Sequence, residues 1–112
     1  MKKVQAIIRP NKLEALKDAA AQAGFRGMTV TSVHGCGNQG GWKEYFRGAE
    51  IFVNMQPKMQ CEFVVKDEDV NGVVDMIIST CRTGEVGDGK VFIIPVETAI
   101  RIRTGETGDA AI

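Results

Sequence analysis

The first apolar pattern in the chain has a period of two residues. Val4, Ala6 and Ile8 alternate with the residues between them, which predicts a strand with one set of side chains on each face. Pro10 has no backbone N–H to donate within a sheet, so we expect it to end this strand.

The pattern then changes to helical spacing. Asn11 is a candidate N-cap with Glu14 three residues later, and Gly24 is placed to close the helix. The apolar face between them consists of Leu13, Leu16 and Ala20. The chain therefore begins with a strand followed by a helix.

Both patterns recur further along the chain. Residues 28–33 and 59–66 are predicted strands, and the second carries Cys61, Phe63 and Val65 on one face. Asp67 is a candidate cap for a second helix that runs to about Arg82, and residues 90–96 predict a fourth strand. The apolar positions of the second helix are Val70, Val73, Val74, Ile77, Ile78 and Cys81. The order β-α-β-β-α-β predicts an α+β, ferredoxin-like fold.

A segment of about 22 residues separates the second and third strands, between Gly35 and Lys58, whereas hairpin loops usually contain about 2–5. Its large apolar residues are Trp42, Tyr45, Phe46, Ile51 and Phe52. A disordered segment is usually more polar. We therefore expect this long loop to bind a partner or to lie in a subunit interface, with disorder as the alternative.

Size and charge narrow the class of protein. The chain has 112 residues, of which 44% are hydrophobic, so we expect residues 1–112 to form a single domain. Its 14 basic residues balance its 14 acidic residues. A neutral chain gives no sign of a polyanion-binding surface, so nucleic acid is not an expected partner.

The cysteine pattern and the hydropathy point to a cytoplasmic protein. Cys36, Cys61 and Cys81 are far apart, and His34 is the only histidine, which indicates neither a disulfide framework nor a zinc site. No signal peptide and no apolar run of 18 residues is found in the sequence. We expect a soluble protein that does not insert into a membrane directly, although it could dock on a membrane protein.

A glycine-rich loop over residues 82–90 carries the clearest chemistry. Residues 84–90 fit the pattern G-x-x-x-x-G-K, in which backbone N–H groups and a lysine hold phosphates. Val91 stands where a P-loop enzyme needs Ser or Thr, and the predicted order is helix, loop, strand, the reverse of a P-loop. The segment thus predicts a phosphate-binding loop that does not hydrolyse nucleotides. The alternative is a plain glycine-rich connection with Lys90 in solvent.

A second cationic pattern follows the fourth strand. Residues 100–103 alternate Ile and Arg, which predicts a short strand with Arg101 and Arg103 on one face, about 7 Å apart. Two guanidinium groups at that spacing can grip a phosphate chain. The alternative is a solvated edge strand, and the nearby glycine-rich loop favours a polyphosphate site.

The whole chain, from Met1 to Ile112, resembles the PII nitrogen-regulatory signal proteins. The motifs that carry the resemblance are Ala6-Ile7-Ile8-Arg9-Pro10, Gly27-Met28-Thr29-Val30, Phe46-Arg47-Gly48-Ala49-Glu50, Arg82-Thr83-Gly84, Gly87-Asp88-Gly89-Lys90 and Arg101-Ile102-Arg103-Thr104-Gly105-Glu106. The resemblance implies a homotrimer of ferredoxin-like subunits, with ATP and ADP competing for sites between neighbouring subunits.

The resemblance also implies a set of nucleotide-binding residues. For the phosphates it implies Gly87, Asp88, Gly89, Lys90, Arg101 and Arg103, and for the nucleoside Gly27, Thr29, Glu62 and Val64. Gly37, Asn38 and Gln39 would approach from the base of the long loop. The last residues, about 101–112, would form a C-terminal loop.

A metabolite site follows from the same resemblance. In such proteins 2-oxoglutarate binds beside ATP through Mg²⁺, with a glutamine and loop amides at the keto-acid end and a lysine at the distal carboxylate. The corresponding residues here are Gln39, which would also contact the Mg²⁺ of ATP, together with Arg9, Gly41 and Lys58.

The chain departs from the usual family pattern in the long loop, about residues 37–57. It has Asn38-Gln39-Gly40-Gly41 where members often have Arg-Gln-Lys-Gly, so it lacks one cation. Ile51 replaces the tyrosine that accepts a nucleotidyl group, and Ala49 leaves no serine for phosphorylation, so no modification is expected at either position. Trp42 and Phe46 make the loop more apolar, which indicates a specialised paralogue. The implied partner-binding residues are Trp42, Tyr45, Phe46, Arg47, Ile51 and Phe52.

Three functions are compatible with these patterns. The first is a non-enzymatic sensor whose nucleotide and metabolite ligands reshape the long loop, which then engages an ammonium transporter or a metabolic enzyme. The second is a small ATP-using enzyme, in which Asp88 and Glu62 are catalytic candidates only by elimination. The third is an adaptor with a vestigial nucleotide site, including a paralogue that serves a microcompartment.

Overall fold

The computed structural model describes residues 1–36 and 55–112 in full and the backbone of residues 42–46 and 49–53. The described residues contain six strands and two α-helices. They are β1 (Lys2–Ile8), α1 (Leu13–Ala23), β2 (Met28–Gly35), β3 (Trp42–Phe46), β4 (Ala49–Val53), β5 (Gln56–Val65), α2 (Val70–Cys81) and β6 (Lys90–Pro95).

Four of the strands form one antiparallel sheet. Their order is β2-β5-β1-β6, with Val4 of β1 opposite Phe63 of β5 on one side and Ile93 of β6 on the other. Together with two helices, this confirms the predicted α+β class and the β-α-β-β-α-β order of the main elements. The strand order is that expected when two β-α-β units interleave.

The core lies on one face of this sheet, under both helices. Strand residues that point to this face are almost completely buried: Val4, Ala6, Ile8, Cys61, Phe63 and Val65. They pack against Leu16 and Ala20 of α1 and Val73, Ile77 and Cys81 of α2. The period-two pattern of β1 and β5 and the helical pattern of α2 are thus confirmed.

The opposite face of the sheet carries mixed side chains and no helix of the described chain. One row across it contains Thr29, Glu62, Gln5 and Phe92, from four adjacent strands. Phe92 is 47% exposed within the single chain. We refer to this surface as the open face.

The long loop contains more structure than predicted. β2 and β5 reach Gly35 and Gln56, beyond the predicted limits at Val33 and Met59, and their pairing runs from Met28↔Phe63 to Gly35↔Gln56. Strands β3 and β4 form a separate two-stranded antiparallel sheet. Their aromatic and β-branched residues suit extended backbone, so part of the segment predicted as a long loop is a two-stranded sheet.

Neither predicted N-cap is made. Pro10–Lys12 form a 3-10 turn that leads into α1, so Asn11 lies within that turn and caps nothing. Proline presets the backbone angle of a first helical residue, which favours this start. Asp67 likewise opens a 3-10 turn, and its Oδ1 accepts a hydrogen bond from the Met1 ammonium at 2.6 Å, a contact that lowers the pKa of Asp67. The predicted close of α1 at Gly24 is confirmed.

The C-terminal segment is a tight turn, so the alternating strand predicted for residues 100–103 is wrong. Ile100 makes one isolated bridge to Thr107, and the N–H of Gly105 donates to the carbonyl of Arg101 at 2.7 Å. Gly105 has a φ of 74°, which lets the chain reverse here. Arg101 and Arg103 therefore do not share a strand face.

Candidate functional site

The glycine-rich loop connects the end of α2 at Cys81 to the start of β6 at Lys90. The predicted order of helix, loop and strand is confirmed. At Gly89 the φ angle is 101°, and a Cβ atom would lie 1.7 Å from the carbonyl oxygen of Ile7 in β1. The loop backbone therefore lies directly against the end of the sheet, and only glycine fits at this position.

The carboxylate of Asp88 organises this loop from within. It accepts hydrogen bonds from the Thr83 hydroxyl, from the Thr83 N–H at 2.8 Å and from the Gly84 N–H at 2.9 Å. Arg9 Nε donates to Asp88 Oδ1 at 3.1 Å. These hydrogen bonds hold the pKa of Asp88 well below its usual range. The Thr83 hydroxyl has the largest effect, and the backbone amides and Arg9 add smaller ones. The carboxylate is therefore ionised near neutral pH.

Two cations from neighbouring strands hold the carbonyl oxygens of the same loop. Arg9 Nη2 donates to the carbonyl of Val86 at 2.9 Å, and Lys58 Nζ donates to the carbonyl of Gly87 at 2.7 Å. The Val86–Gly87 and Gly87–Asp88 peptides are both trans, so each N–H points to the side opposite its carbonyl oxygen. The N–H groups of Gly87 and Asp88 therefore point away from the two cations. Consecutive N–H groups directed outward form a concave site for an anion.

Lys90 completes the positive end of the loop. It is the first residue of β6, it is exposed, and its register partner in β1 is Ile7. Beside it lies a cleft of about 280 Å³ between the loop, α2 and β6, with apolar walls that include Ile8, Ile77 and Val91. The outward amides, the two glycines and this lysine fit the phosphate groups of a nucleotide.

A second polar group lies on the open face of the sheet. Glu62 accepts hydrogen bonds from Gln5 Nε2 at 3.1 Å and from Gln60 Nε2 at 2.8 Å, and Lys3 Nζ lies 3.8 Å from its other oxygen. The Gln5 hydrogen bond is the largest cause that lowers the pKa of Glu62. Thr29 is the partner of Glu62 in β2. Glu62 is thus an ionised acceptor beside Thr29.

Comparison with known sequences identifies the family. The model of the family described as "Nitrogen regulatory protein P-II" matches residues 1–106. Nitrogen regulatory protein P-II 1 of Escherichia coli (strain K12) is 53% identical over 112 residues, which is 100% of both chains. Nitrogen regulatory protein P-II of Klebsiella oxytoca is also 53% identical, and that of Cereibacter sphaeroides 51%, with the same complete coverage. The chain belongs to the P-II family.

The structure brings together some of the residues that the P-II resemblance implied for the phosphates and the metabolite. Arg9 directly follows β1 and Lys58 lies in β5, and both contact the loop that contains Gly87, Asp88 and Gly89. The sequence analysis missed Thr83 as a partner of Asp88. A threonine two residues after the end of a helix, followed by glycine, is a signal for such a hydroxyl-bonded turn.

Other residues implied by the P-II resemblance lie elsewhere in this chain. Gly27, Thr29 and Val64 belong to β2, β5 or the residues next to them, whereas Lys90 starts the strand on the opposite edge of the sheet. Arg101 Nη1 pairs with Glu106 Oε1 at 3.1 Å inside the C-terminal turn. Among the described residues, no hydrogen bond joins Arg101 or Arg103 to the phosphate loop.

Part of the predicted P-II site and the partner surface lie outside the described residues. These are Gly37, Asn38, Gln39, Gly40, Gly41 and Arg47, and the side chains of Trp42, Tyr45, Phe46, Ala49, Ile51 and Phe52. None of the helices that the structure describes is both long and apolar enough to cross a membrane.

Proposed function

We propose that this P-II protein is a non-enzymatic signalling protein of nitrogen regulation that binds ATP or ADP at its phosphate loop. In this proposal it regulates a target protein through residues 37–57. The observation that supports the proposal is the orientation of the loop peptides, whose carbonyls accept from Arg9 and Lys58 and whose N–H groups therefore point away from these two cations, in the loop that ends at Lys90. The names of the relatives support the regulatory role.

The loop chemistry favours nucleotide phosphates over a small neutral ligand. Backbone N–H groups and an exposed ammonium complement the charge of phosphate oxygens, and hydrogen bonds to such charged groups contribute about 1.5–3 kcal/mol each. Mg²⁺ would arrive with ATP, and the metabolite 2-oxoglutarate would place its distal carboxylate at Lys58. Gln39, Gly41 and Arg9 complete that part of the proposal.

Three-fold assembly is part of the same proposal. The nucleoside residue Thr29 lies on β2 and the phosphate residue Lys90 on β6, at opposite edges of the sheet, about three strand spacings or 14 Å apart. A single chain therefore carries two half-sites at opposite edges of its sheet. Contact between the β2 edge of one copy and the β6 edge of the next would join them, with Arg101 and Arg103 reaching the phosphates at that boundary.

The geometry disfavours the alternative of an ATP-using enzyme. Catalysis of phosphoryl transfer needs a free base or metal ligand. Both oxygens of Asp88 accept hydrogen bonds from Thr83, Gly84 or Arg9, and Glu62 is held by two glutamines and Lys3. The Asp88 carboxylate therefore has all four of its lone pairs occupied, and Glu62 is held on the open face by three neighbouring side chains.

Target capture under defined ligands tests the function. The purified full chain is immobilised, and extract proteins are captured in ADP or in ATP with Mg²⁺ and 2-oxoglutarate. The proposal predicts a target whose capture differs between the two conditions and no phosphate release from ATP above the background of the Lys90→Ala variant. Capture independent of ligand would favour the adaptor, and phosphate release abolished by Lys90→Ala would favour the enzyme.

A further inference from the structure

Arg9 and Asp88 are 79 residues apart in sequence and form one ion pair beneath the phosphate loop. Their side chains are only 28% and 24% exposed, so the pair is partly shielded from water. The rest of the Asp88 carboxylate is used by groups of the loop itself, the Thr83 and Gly84 amides and the Thr83 hydroxyl. Its four hydrogen bonds to described residues are therefore all made within the protein.

The pair also fixes the direction of the loop peptides. The same guanidinium that meets Asp88 donates to the carbonyl of Val86, and a Cβ at Gly87 would approach its Nη2 to 3.3 Å. Holding the Val86 carbonyl turns the following N–H, that of Gly87, to the opposite side. Asp88 sets the position of Arg9, and Arg9 sets the position of the peptide.

The geometry points to Arg9 and Asp88 as a positioning pair that holds the phosphate loop in its anion-binding form before any ligand arrives, without either side chain touching the nucleotide. The inference rests on the proposed nucleotide binding, and it gives Arg9 a role other than the metabolite contact implied by family resemblance. A loop ordered in advance loses less conformational entropy when the phosphate binds, which raises affinity.

A double-mutant cycle tests this inference in the full chain. Arg9→Gln, Asp88→Asn and the double variant are titrated with ADP, in the absence of 2-oxoglutarate. Asp88→Asn places an amide N–H against two donors, and we expect each single variant to bind ADP about tenfold more weakly. Because Asp88 positions Arg9 and Arg9 positions the peptide, the two single variants remove one shared effect, and the double variant should stay within about threefold of either single variant. Additive losses, about a hundredfold in the double variant, would mean that Arg9 contacts the nucleotide and would overturn the inference.

A matched control comes from another ion pair. Lys17 Nζ lies 3.3 Å from Glu14 Oε1 on the exposed surface of α1, so Lys17→Gln removes a cation without affecting the loop. One outcome is that the wild type binds ADP and that the Arg9→Gln and Asp88→Asn variants bind ADP as tightly as Lys17→Gln does. In that case the inference is wrong and the proposed function stands. If Asp88→Asn does not fold, Thr83→Val removes one donor from the same carboxylate and should cause a smaller loss in the same direction.

Amide NMR of the ligand-free protein gives a second readout that does not require nucleotide binding. Hydrogen bonds to the ionised carboxylate should move the amide protons of Thr83 and Gly84 downfield. Asp88→Asn should return both signals upfield, and Lys17→Gln should leave them in place. Signals without this displacement in the ligand-free wild type would show that the loop is not held in advance, whether or not ADP binds.

Discussion

Lys58 Nζ lies 2.7 Å from the carbonyl oxygen of Gly87, which ties the first part of β5 to the phosphate loop. β5 begins at Gln56, at the end of the segment that we propose contacts the target. A ligand that moves the phosphate loop or binds Lys58 must therefore disturb the point where that segment joins β5. This contact offers a direct physical link between nucleotide binding and the long loop.

Lys58→Gln should weaken ADP binding by roughly three- to tenfold, because the Gly87 carbonyl loses its charged donor and the following N–H is less well oriented. It should also abolish any effect of 2-oxoglutarate on ATP binding. The control is Lys66→Gln, just beyond the other end of β5. It should change neither the affinity for ADP nor the effect of 2-oxoglutarate on ATP binding. Calorimetric titrations compare the three proteins, and unchanged ADP affinity in Lys58→Gln would show that this contact does not support the loop.

Phe92→Asp should prevent assembly. Phe92 is 47% exposed on the open face, and a carboxylate there cannot be buried between copies without a large desolvation cost. Light scattering should give a trimer mass for the wild type and a monomer mass for Phe92→Asp. Gln22→Asp adds the same charge on the solvent side of α1 and should stay trimeric. A wild-type monomer at micromolar concentration would refute the proposed assembly.

Alkaline pH should destabilise the protein partly through Cys61. Burial, with a smaller effect from Cys81, raises the pKa of the Cys61 thiol from 9.0 to about 11. The unfolded chain therefore releases this proton first, so the stabilisation is complete below pH 9 and is lost as pH rises from about 9 to 11. The loss amounts to roughly 2–3 kcal/mol in the free energy of unfolding.

Urea unfolding at several pH values checks this prediction. Cys61→Ala should show a shallower decline in stability than the wild type above pH 9, since the two proteins differ in this one thiol. Parallel declines would mean that the thiol is not held protonated by the fold.

Deletion of residues 42–53 removes β3 and β4, which pair only with each other. The four-stranded sheet and the phosphate loop lie outside the deletion. We expect the deleted protein to remain a trimer, to bind ADP within about threefold of the wild type, and to lose its target. Retained target binding would place the partner surface elsewhere.

Target regulation should also depend on ligands alone. Ile51 and Ala49 carry no hydroxyl group, so neither position can accept a nucleotidyl or phosphoryl group. Mass spectrometry of the protein from nitrogen-starved cells should show Tyr45 unmodified. A modified Tyr45, with a matching change in target binding, would contradict this prediction.

Local sequence patterns predicted the main helices and strands of this fold but not the contacts between residues that are distant in sequence. The alternation at Cys61, Phe63 and Val65 sufficed because one face of β5 is buried. Alternation at residues 100–103 failed because Gly105, two residues beyond the repeat, reverses the chain, and a period of two does not distinguish a strand from a turn with two exposed arginines.

In the phosphate loop, too, the sequence revealed the adjacent residues but not the long-range contact. Its glycines and Lys90 are visible in the sequence because they are adjacent. The pairing of Arg9 with Asp88 spans 79 residues, and it depends on β1 and β6 being neighbours in the sheet. No local pattern contains that information, and the metabolite contact that the family resemblance implies for Arg9 stays a prediction.

Calorimetric titration of the full chain with ADP, and separately with ATP and Mg²⁺, tests the central claim most directly. We predict one nucleotide per chain, competition between ADP and ATP, and a loss of roughly 1–3 kcal/mol in binding free energy for Lys90→Ala, because the phosphates lose a charged donor. Lys17→Gln should bind like the wild type. Absence of heat from either nucleotide, or equal affinity in Lys90→Ala and the wild type, would contradict the account of residues 82–90 as a nucleotide phosphate site.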